Sequence, residues 1–219
     1  MKPVHIEIWS DIACPWCYVG KRRFETALAS FEHRDEVSVR WRSFELDPGA
    51  PRTREGDGAD HLARKYGMSR EQALAMHANL TAVAATEGLE LRFDIARGGN
   101  TFDAHRLVQL AAAHELQEQM QERLFRAYFG EGVAIGDPAA LEPLATEIGL
   151  PASEVRDVLA TQRYAEDVRD DERQATGLGI TAVPFFAVDR AIGVAGAHPP
   201  ELLRKVLVKG WEAAAATGV

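Results

Sequence analysis

The stretch Cys14-Pro15-Trp16-Cys17 holds both cysteines of this 219-residue chain. It follows an apolar run, residues 4–10, that is typical of a buried strand, and it opens a helical pattern over residues 15–31. A strand, a turn and a helix in this order place the cysteine pair at a helix N-terminus. Sulfurs at that position suit thiol–disulfide exchange better than structural crosslinking.

The chemistry of a helix N-terminus explains this placement. It carries partial positive charge and backbone N–H groups without intrahelical partners, which favour a thiolate at an N-cap Cys14. Pro15 fits the first helical position because the N–H that it lacks would be unpaired there. Cys17 lies about one turn further on, within reach of Cys14 to resolve a mixed disulfide. We therefore predict that Cys14 is an accessible nucleophile and Cys17 the resolving thiol.

Two other interpretations of the cysteine pair stay open. It could be half of a zinc site, but zinc needs four ligands, and the sequence offers neither a second cysteine pair nor a closely spaced histidine pair. The cysteines could also be incidental buried thiols, which the strand–turn–helix context disfavours. The sequence predicts no metal site.

Composition is that of an ordinary globular protein, with 46% hydrophobic and 26% charged residues and a net charge of −8. The acidic balance argues against nucleic acid as the main partner. No apolar run approaches the roughly 18 residues of a membrane helix. We expect no targeting segment, because Met1-Lys2-Pro3 is followed at once by a strand-like run that Glu7 interrupts. We expect a cytoplasmic protein without a membrane partner, and a cytosolic dithiol tends to be catalytic or redox-sensing.

Three further segments have strand character. Residues 37–44 alternate between polar and apolar side chains with a period of two. Residues 183–188 are short and apolar, and residues 191–196 can pair with them as a hairpin through Asp189-Arg190. Pro199-Pro200 then opens a last helix.

Capping signals between the strands predict a helical block. Ser69 and Gln72 have the spacing of a capping box, and Asp137-Pro138 begins another helix. Residues 153–176 are expected to form one further helical stretch. The loop over residues 47–58 is rich in proline, glycine and charge, which marks a boundary before the block.

This order of elements suggests an α/β, thioredoxin-like fold with an inserted all-helical domain. The outer pieces of the chain would form one sheet, and the helical block would interrupt it. We therefore expect the first part of the thioredoxin-like domain over residues 1–58, the helical insertion over 59–171, and the second part over 172–219.

Four segments, taken in their order and spacing, carry a resemblance to a known family. They are Ser10–Gly20, Asn100–Arg106, Gly179–Phe186 and Gly196–Pro199, with His198 where glutamine is usual. The chain resembles the DsbA-like thioredoxin superfamily, and most closely its FrnE-like branch of disulfide oxidoreductases. The resemblance covers nearly the whole chain.

The resemblance implies that Val183-Pro184 is a cis peptide bond facing the dithiol; a trans proline at a strand start is the alternative. Proline has no N–H, so Pro184 would leave the groove beside Cys14 free of a donor. The Val183 backbone could then pair with an extended substrate strand. Trp16 and His198 complete the expected substrate-binding residues.

Glu7 and His105 have roles that the sequence leaves open. The family carries a buried acid on the strand before the dithiol, and Glu7 lies one residue out of register with it. Such a carboxylate, with a raised pKa, could move the Cys17 proton, but an exposed strand glutamate fits equally well. For His105 on its helix, a core or groove histidine is favoured over a catalytic base.

We expect a thiol–disulfide oxidoreductase that exchanges its dithiol with protein or small-thiol substrates, as a monomer or homodimer. It would need no bound cofactor, and glutathione is a candidate co-substrate. One alternative is a glutathione-dependent isomerase or transferase, of the 2-hydroxychromene-2-carboxylate isomerase or kappa-class type, which usually carries serine in place of Cys14. A second alternative is a redox-sensitive, chaperone-like binding module that uses the helical block as an apolar surface.

Overall fold

A computed structural model describes residues 4–54 and 56–217 of the chain, except the side chain of Thr217. The predicted Met1-Lys2-Pro3 lead into the first strand lies outside these residues. The described residues divide into two units. Those within Met1–Phe44 and Arg169–Val219 form unit 1, and those within Glu45–Val168 form unit 2. Within the described ranges, no helix is long and apolar enough to cross a bilayer.

Unit 1 is built on a four-stranded sheet with the order β2-β1-β3-β4. Its strands are β1 (Val4–Ser10), β2 (Val37–Ser43), β3 (Phe185–Val188) and β4 (Ile192–Ala195). β1 pairs in parallel with β2 and antiparallel with β3, which pairs antiparallel with β4. Because parallel neighbours need a crossover, helix α1 (Pro15–Ala29) connects β1 to β2, followed by a short 3-10 helix over Arg34–Glu36.

The central strand β1 is buried on both faces, and alternate residues serve different layers. On one face, Phe186 lies opposite Ile8 in the strand register and stacks on Phe24 of α1, with ring centroids 5.5 Å apart. On the other face, Trp9 belongs to a buried apolar cluster with Ala175. The face that carries Ile8 is therefore the one that α1 covers.

A buried ion network lies on the face of β1 opposite α1. The Glu7 carboxylate, 8% exposed, accepts hydrogen bonds from Arg42 Nε at 2.8 Å and from Arg190 Nη2 at 2.7 Å. Arg42 also donates to Asp171 at 2.8 Å, and the Asp171 carbonyl accepts from Trp9 Nε1 at 3.0 Å. Burial raises the pKa of Glu7, but the two arginines lower it by more, so its pKa lies below the usual carboxyl value.

Helices make up most of unit 2. They are α2 (Gly58–Tyr66), α3 (Arg70–Thr86), α4 (Phe102–Ala113), α5 (Gln117–Phe129), α6 (Pro138–Glu147) and α7 (Ala152–Ala160), and α8 (Ala165–Gly177) begins there and continues into unit 1. The predicted capping box of Ser69 and Gln72 is present, with both of its hydrogen bonds. Asp137 caps α6 through the N–H of Ala139, with proline at the start of the helix as predicted. The last helix, α9 (Pro200–Thr217), belongs to unit 1.

The prediction of one helical stretch over residues 153–176 is wrong. The chain forms α7 and α8 instead, separated by residues 161–164. Buried Arg106 on α4 donates to the carbonyls of Thr161 at 2.6 Å and Arg163 at 3.0 Å, and so caps the end of α7. Tyr164 has a φ of 63°, a left-handed conformation that redirects the chain.

The predicted boundary after residue 58 also differs from the units, which separate after Phe44. The Pro- and Gly-rich loop belongs to unit 2 because its backbone bonds there. The backbone N–H of Arg54 donates to the Gly98 carbonyl at 2.8 Å, and that of Asn100 donates to the Pro51 carbonyl at 2.9 Å. The second separation, after Val168, falls within α8 rather than after residue 171.

Replacing Glu7 by glutamine tests the ion network. We expect Glu7→Gln to lower the free energy of unfolding at pH 7 by about 3 kcal/mol, because the largely buried Arg42 guanidinium and the more exposed Arg190 lose their counter-charge. Since the folded pKa of Glu7 is lowered, its contribution is present above the unfolded value of 4.5 and is lost as pH falls through the folded pKa.

Chemical denaturation at pH 7 and at pH 3 measures both effects. The matched control is Glu212→Gln on the exposed side of α9, which should be neutral at both pH values. An equal effect of the two substitutions at pH 7 would contradict a stabilising role for the network.

Candidate active site

The cysteine pair lies at the junction of β1 and α1. Cys14 is the N-cap of α1 in an extended conformation, with φ −93° and ψ 109°, and Pro15 occupies the first turn, as the sequence predicts. A tight turn leads into this position, because Cys14 N–H donates to the Asp11 carbonyl at 3.0 Å. Cys17 N–H in turn donates to the Cys14 carbonyl at 3.0 Å.

The two sulfurs differ in their access to solvent. Cys14 is 5% exposed and Cys17 is 0% exposed, and no disulfide joins them. Cys14 is therefore less accessible than the sequence predicts, although it is the more exposed of the two cysteines. Trp16 between them is 43% exposed.

Burial is the main influence on the pKa of the Cys17 thiol. Its surroundings raise the pKa of the Cys17 thiol well above the usual value, first by desolvation and then through the neighbouring Cys14 sulfur. Hydrogen bonds from the Asp11 backbone and from the Ser10 side chain lower the pKa of Cys17, but by less. Cys17 is thus held as a neutral thiol near neutral pH.

The loop before β3 lies against the dithiol. The peptide bond between Val183 and Pro184 is cis, and the Val183 carbonyl lies 3.7 Å from Cys14 Sγ, which donates to it. Nothing in the described part of the chain accepts a hydrogen bond from Val183 N–H. A backbone donor and an acceptor therefore lie beside the N-cap sulfur.

Gly20 lets this loop approach α1 closely. A Cβ added at Gly20 would lie 2.8 Å from Cγ of Pro184 and 3.5 Å from Cβ of Ala197. Arg23, one turn further along α1, donates to the Ala197 carbonyl at 2.7 Å. The turn that contains half-buried His198 is therefore held against α1, but within the described residues no hydrogen bond joins the His198 ring to the cysteines.

Neither sequence interpretation of Glu7 is correct. Glu7 is buried, and its side chain lies on the face of β1 away from α1, among Arg42 and Arg190. Its lowered pKa keeps it ionised, so it is not a protonated acid beside Cys17. His105 is a buried residue of α4 in unit 2, in agreement with the favoured reading of a core histidine.

Ser10 is the residue that sequence reasoning missed. Strand alternation places it on the same face as Ile6 and Ile8, which is the α1 face, and its side chain bonds to Cys17. The signal was available in the sequence, since Ser10 ends the strand four residues before Cys14. Across the described ranges, no group of three or more His, Cys, Asp or Glu residues could hold a metal ion.

The family model of the DSBA-like thioredoxin domain matches residues 5–208. The chain belongs to this family. A solved structure described as a probable DsbA oxidoreductase from Streptomyces coelicolor is 50% identical to the chain, with a TM-score of 0.91. The match covers 95% of this chain and 90% of that structure's chain. The predicted family and the thioredoxin-like fold class are confirmed.

Two more distant structures share the fold. Cytosolic disulfide reductase DsbM from Pseudomonas aeruginosa, determined with GSH, is 19% identical over 95% of this chain and 99% of its own, with a TM-score of 0.67. A 2-hydroxychromene-2-carboxylate isomerase is 14% identical over 98% of this chain and 100% of its own, also with a TM-score of 0.67. Both relationships establish the fold alone.

Alkylation tests the asymmetry of the cysteine pair. With iodoacetamide at pH 8, we expect Cys14 of the reduced, folded protein to react at least about tenfold faster than Cys17, because Cys17 is sealed and protonated. Peptide mass spectrometry assigns the label to each cysteine. In denaturant the two rates should become similar, and equal rates in the folded protein would contradict the asymmetry.

Substituting Gly20 tests the approach of the loop to α1. Gly20→Ala should overpack Pro184, whereas Gly177→Ala, at the end of α8 where a Cβ meets nothing within 4 Å, should not. Both gain helix propensity, so we expect Gly20→Ala to be less stable than this control by about 2 kcal/mol. Thermal or chemical denaturation measures the difference, and equal stability would show that Pro184 yields without cost.

Proposed function

We propose that this protein is a thiol–disulfide oxidoreductase in which Cys14 attacks and Cys17 resolves. The observation that carries the proposal is the N-cap position of Cys14. Cys17 is fully buried one turn further along the helix, and the Val183 carbonyl lies 3.7 Å from the Cys14 sulfur. Membership of the DSBA-like family supports the same chemistry.

The proposed reaction has two exchange steps. In the first, the Cys14 thiolate attacks a substrate disulfide, forms a bond to one substrate sulfur and releases the other as a thiolate. In the second, Cys17 attacks Cys14, the bond to the substrate breaks, and the substrate leaves as a thiol with the proton that Cys17 gave up. The substrate disulfide is reduced and the cysteine pair is oxidised; the reverse sequence oxidises a dithiol. The two sulfurs carry the electron pair, so no bound cofactor is needed.

The loop before β3 is the proposed substrate-binding edge. The unpaired N–H and the carbonyl of Val183 can pair with an extended polypeptide, as a strand adds to a sheet. Pro184 presents no competing donor. Exposed Trp16 would contact the partner beside the sulfur, and His198 would do so from its turn against α1.

We propose protein thiols and glutathione as the partners, in the cytoplasm. The structural neighbour DsbM supports this assignment because it is a cytosolic disulfide reductase determined with GSH. The net charge of −8 is consistent with a protein or small-thiol partner rather than nucleic acid.

A glutathione-dependent isomerase is the competing function, and the shared fold with the chromene carboxylate isomerase is the observation that favours it. Such an enzyme would bind the glutathione thiolate and would not need disulfide exchange through its own sulfurs. The free Cys14–Cys17 pair favours exchange instead.

Reduction of insulin by dithiothreitol tests the proposed function. We expect the protein to accelerate it, Cys14→Ser to abolish the acceleration, and Cys17→Ser to accumulate a mixed disulfide with insulin that survives non-reducing electrophoresis. Cysteine-to-serine substitution should therefore give loss of activity at position 14 and a trapped mixed disulfide at position 17, so that each variant is the control for the other.

The isomerase hypothesis predicts instead an activity that does not depend on disulfide exchange through Cys17. A protein that isomerises a chromene carboxylate with glutathione, at a rate that Cys17→Ala leaves unchanged, would replace the oxidoreductase assignment. Full insulin reductase activity in Cys14→Ser would also reject the proposed roles.

A further inference from the structure

Ser10 is the last residue of β1 and lies directly before the turn that carries Cys14. It is 1% exposed, and it lies opposite Ser43 of β2 in the parallel register. Because its side chain is on the α1 face of the strand, Ser10 contacts Cys17 in the first turn of α1. There its hydroxyl forms a hydrogen bond with the side chain of Cys17.

The Cys17 side chain forms hydrogen bonds with groups on β1 and in the turn that follows it. Its hydrogen-bonding neighbours are the Cys14 side chain, the Asp11 backbone and the Ser10 hydroxyl. Glu7, the acidic side chain of the same strand, lies on the opposite face and is held by Arg42. The Asp11 carboxylate is buried in the turn before Cys14, where it accepts from Ala13 N–H at 3.3 Å, so of these neighbours only the Ser10 side chain brings a hydroxyl donor to Cys17.

Resolution of a mixed disulfide nevertheless requires Cys17 as a thiolate. The sulfur is then negatively charged inside a fully buried site, where an unpaired charge is costly. A hydroxyl donor at the sulfur lowers that cost, because hydrogen bonds to charged acceptors are stronger than those between neutral groups.

We propose that Ser10 is a positioning residue for the resolving step: its hydroxyl donates to the Cys17 sulfur as the thiolate forms and holds it in line with the Cys14 sulfur. The role belongs to the second exchange only, since Cys14 attacks a substrate without Cys17. This inference rests on the proposed disulfide exchange and assigns a group that acts on one of its two steps.

The two steps are separable with 5,5′-dithiobis(2-nitrobenzoate) as the probe. Attack by Cys14 on one equivalent releases a first thionitrobenzoate and leaves the second bound to Cys14. Attack by Cys17 then forms the Cys14–Cys17 bond and releases the second thionitrobenzoate. Stopped-flow absorbance follows the bimolecular and the unimolecular release separately.

We expect Ser10→Ala to slow the second release about tenfold and to shift its pH profile to higher pH, while the first release stays within twofold. Ser43→Ala is the matched control, because it removes an equally buried hydroxyl from the adjacent strand. Its two release rates should both match those of the unsubstituted protein.

A second pair of variants separates the hydroxyl from packing and covers the case in which Ser10→Ala fails to fold. Ser10→Thr and Ser10→Val add the same buried volume and differ only in the hydroxyl group. The threonine variant should resolve about tenfold faster than the valine variant, with equal first steps.

The outcomes distinguish the two proposals. Equal resolving rates for the threonine and valine variants, or an equal loss in both steps for Ser10→Ala, would overturn the role of Ser10 and leave disulfide exchange intact. A protein whose Cys17 never releases the second thionitrobenzoate, even without substitution, would overturn the proposed function itself.

Discussion

The close approach of α1 to the loop before β3 is the constraint on which the site depends. It exists because residue 20 has no side chain, so that the ring of Pro184 can occupy the space where a Cβ would be. Arg23 fixes the same approach from the neighbouring turn of the helix, through the Ala197 carbonyl. With the loop in this position, the Val183 carbonyl lies 3.7 Å from the N-cap sulfur and accepts a hydrogen bond from it.

The central strand separates two kinds of chemistry. Its α1 face combines apolar side chains with one hydroxyl under the cysteine pair, whereas its opposite face carries the Glu7 ion network. A charge as close to Cys17 as the hydroxyl is would change the ionisation of the buried thiol. The strand therefore keeps the Glu7 carboxylate and its arginine partners on the face away from the Ser10 hydroxyl and Cys17.

Local signals were sufficient for much of this architecture. The N-cap position of Cys14, the capping box at Ser69 and the hairpin through Asp189-Arg190 each depend on a few adjacent residues, and the structure contains all three. The break between α7 and α8 was not predictable in this way, because it depends on Arg106 from a distant helix.

The same distinction explains the errors at the site. The environment of Glu7 depends on Arg42 and Arg190, which are remote in sequence, so the strand pattern alone could not decide whether it was buried and neutral, exposed, or buried and ionised. Ser10, in contrast, was within reach of simple strand alternation. Ser10 was missed because the sequence analysis considered the Glu7 carboxylate as the group that acts on the Cys17 proton.

The unequal depth of the two sulfurs also bears on chemical damage. A peroxide that enters from solvent reaches the partly exposed Cys14 before Cys17, and oxidation of that outer sulfur gives a sulfenic acid. The inner thiol is then the nearest nucleophile, and its condensation with that acid gives a disulfide that ordinary thiols can reduce. The buried position of Cys17 thus keeps a repair partner unoxidised for the sulfur that meets the oxidant.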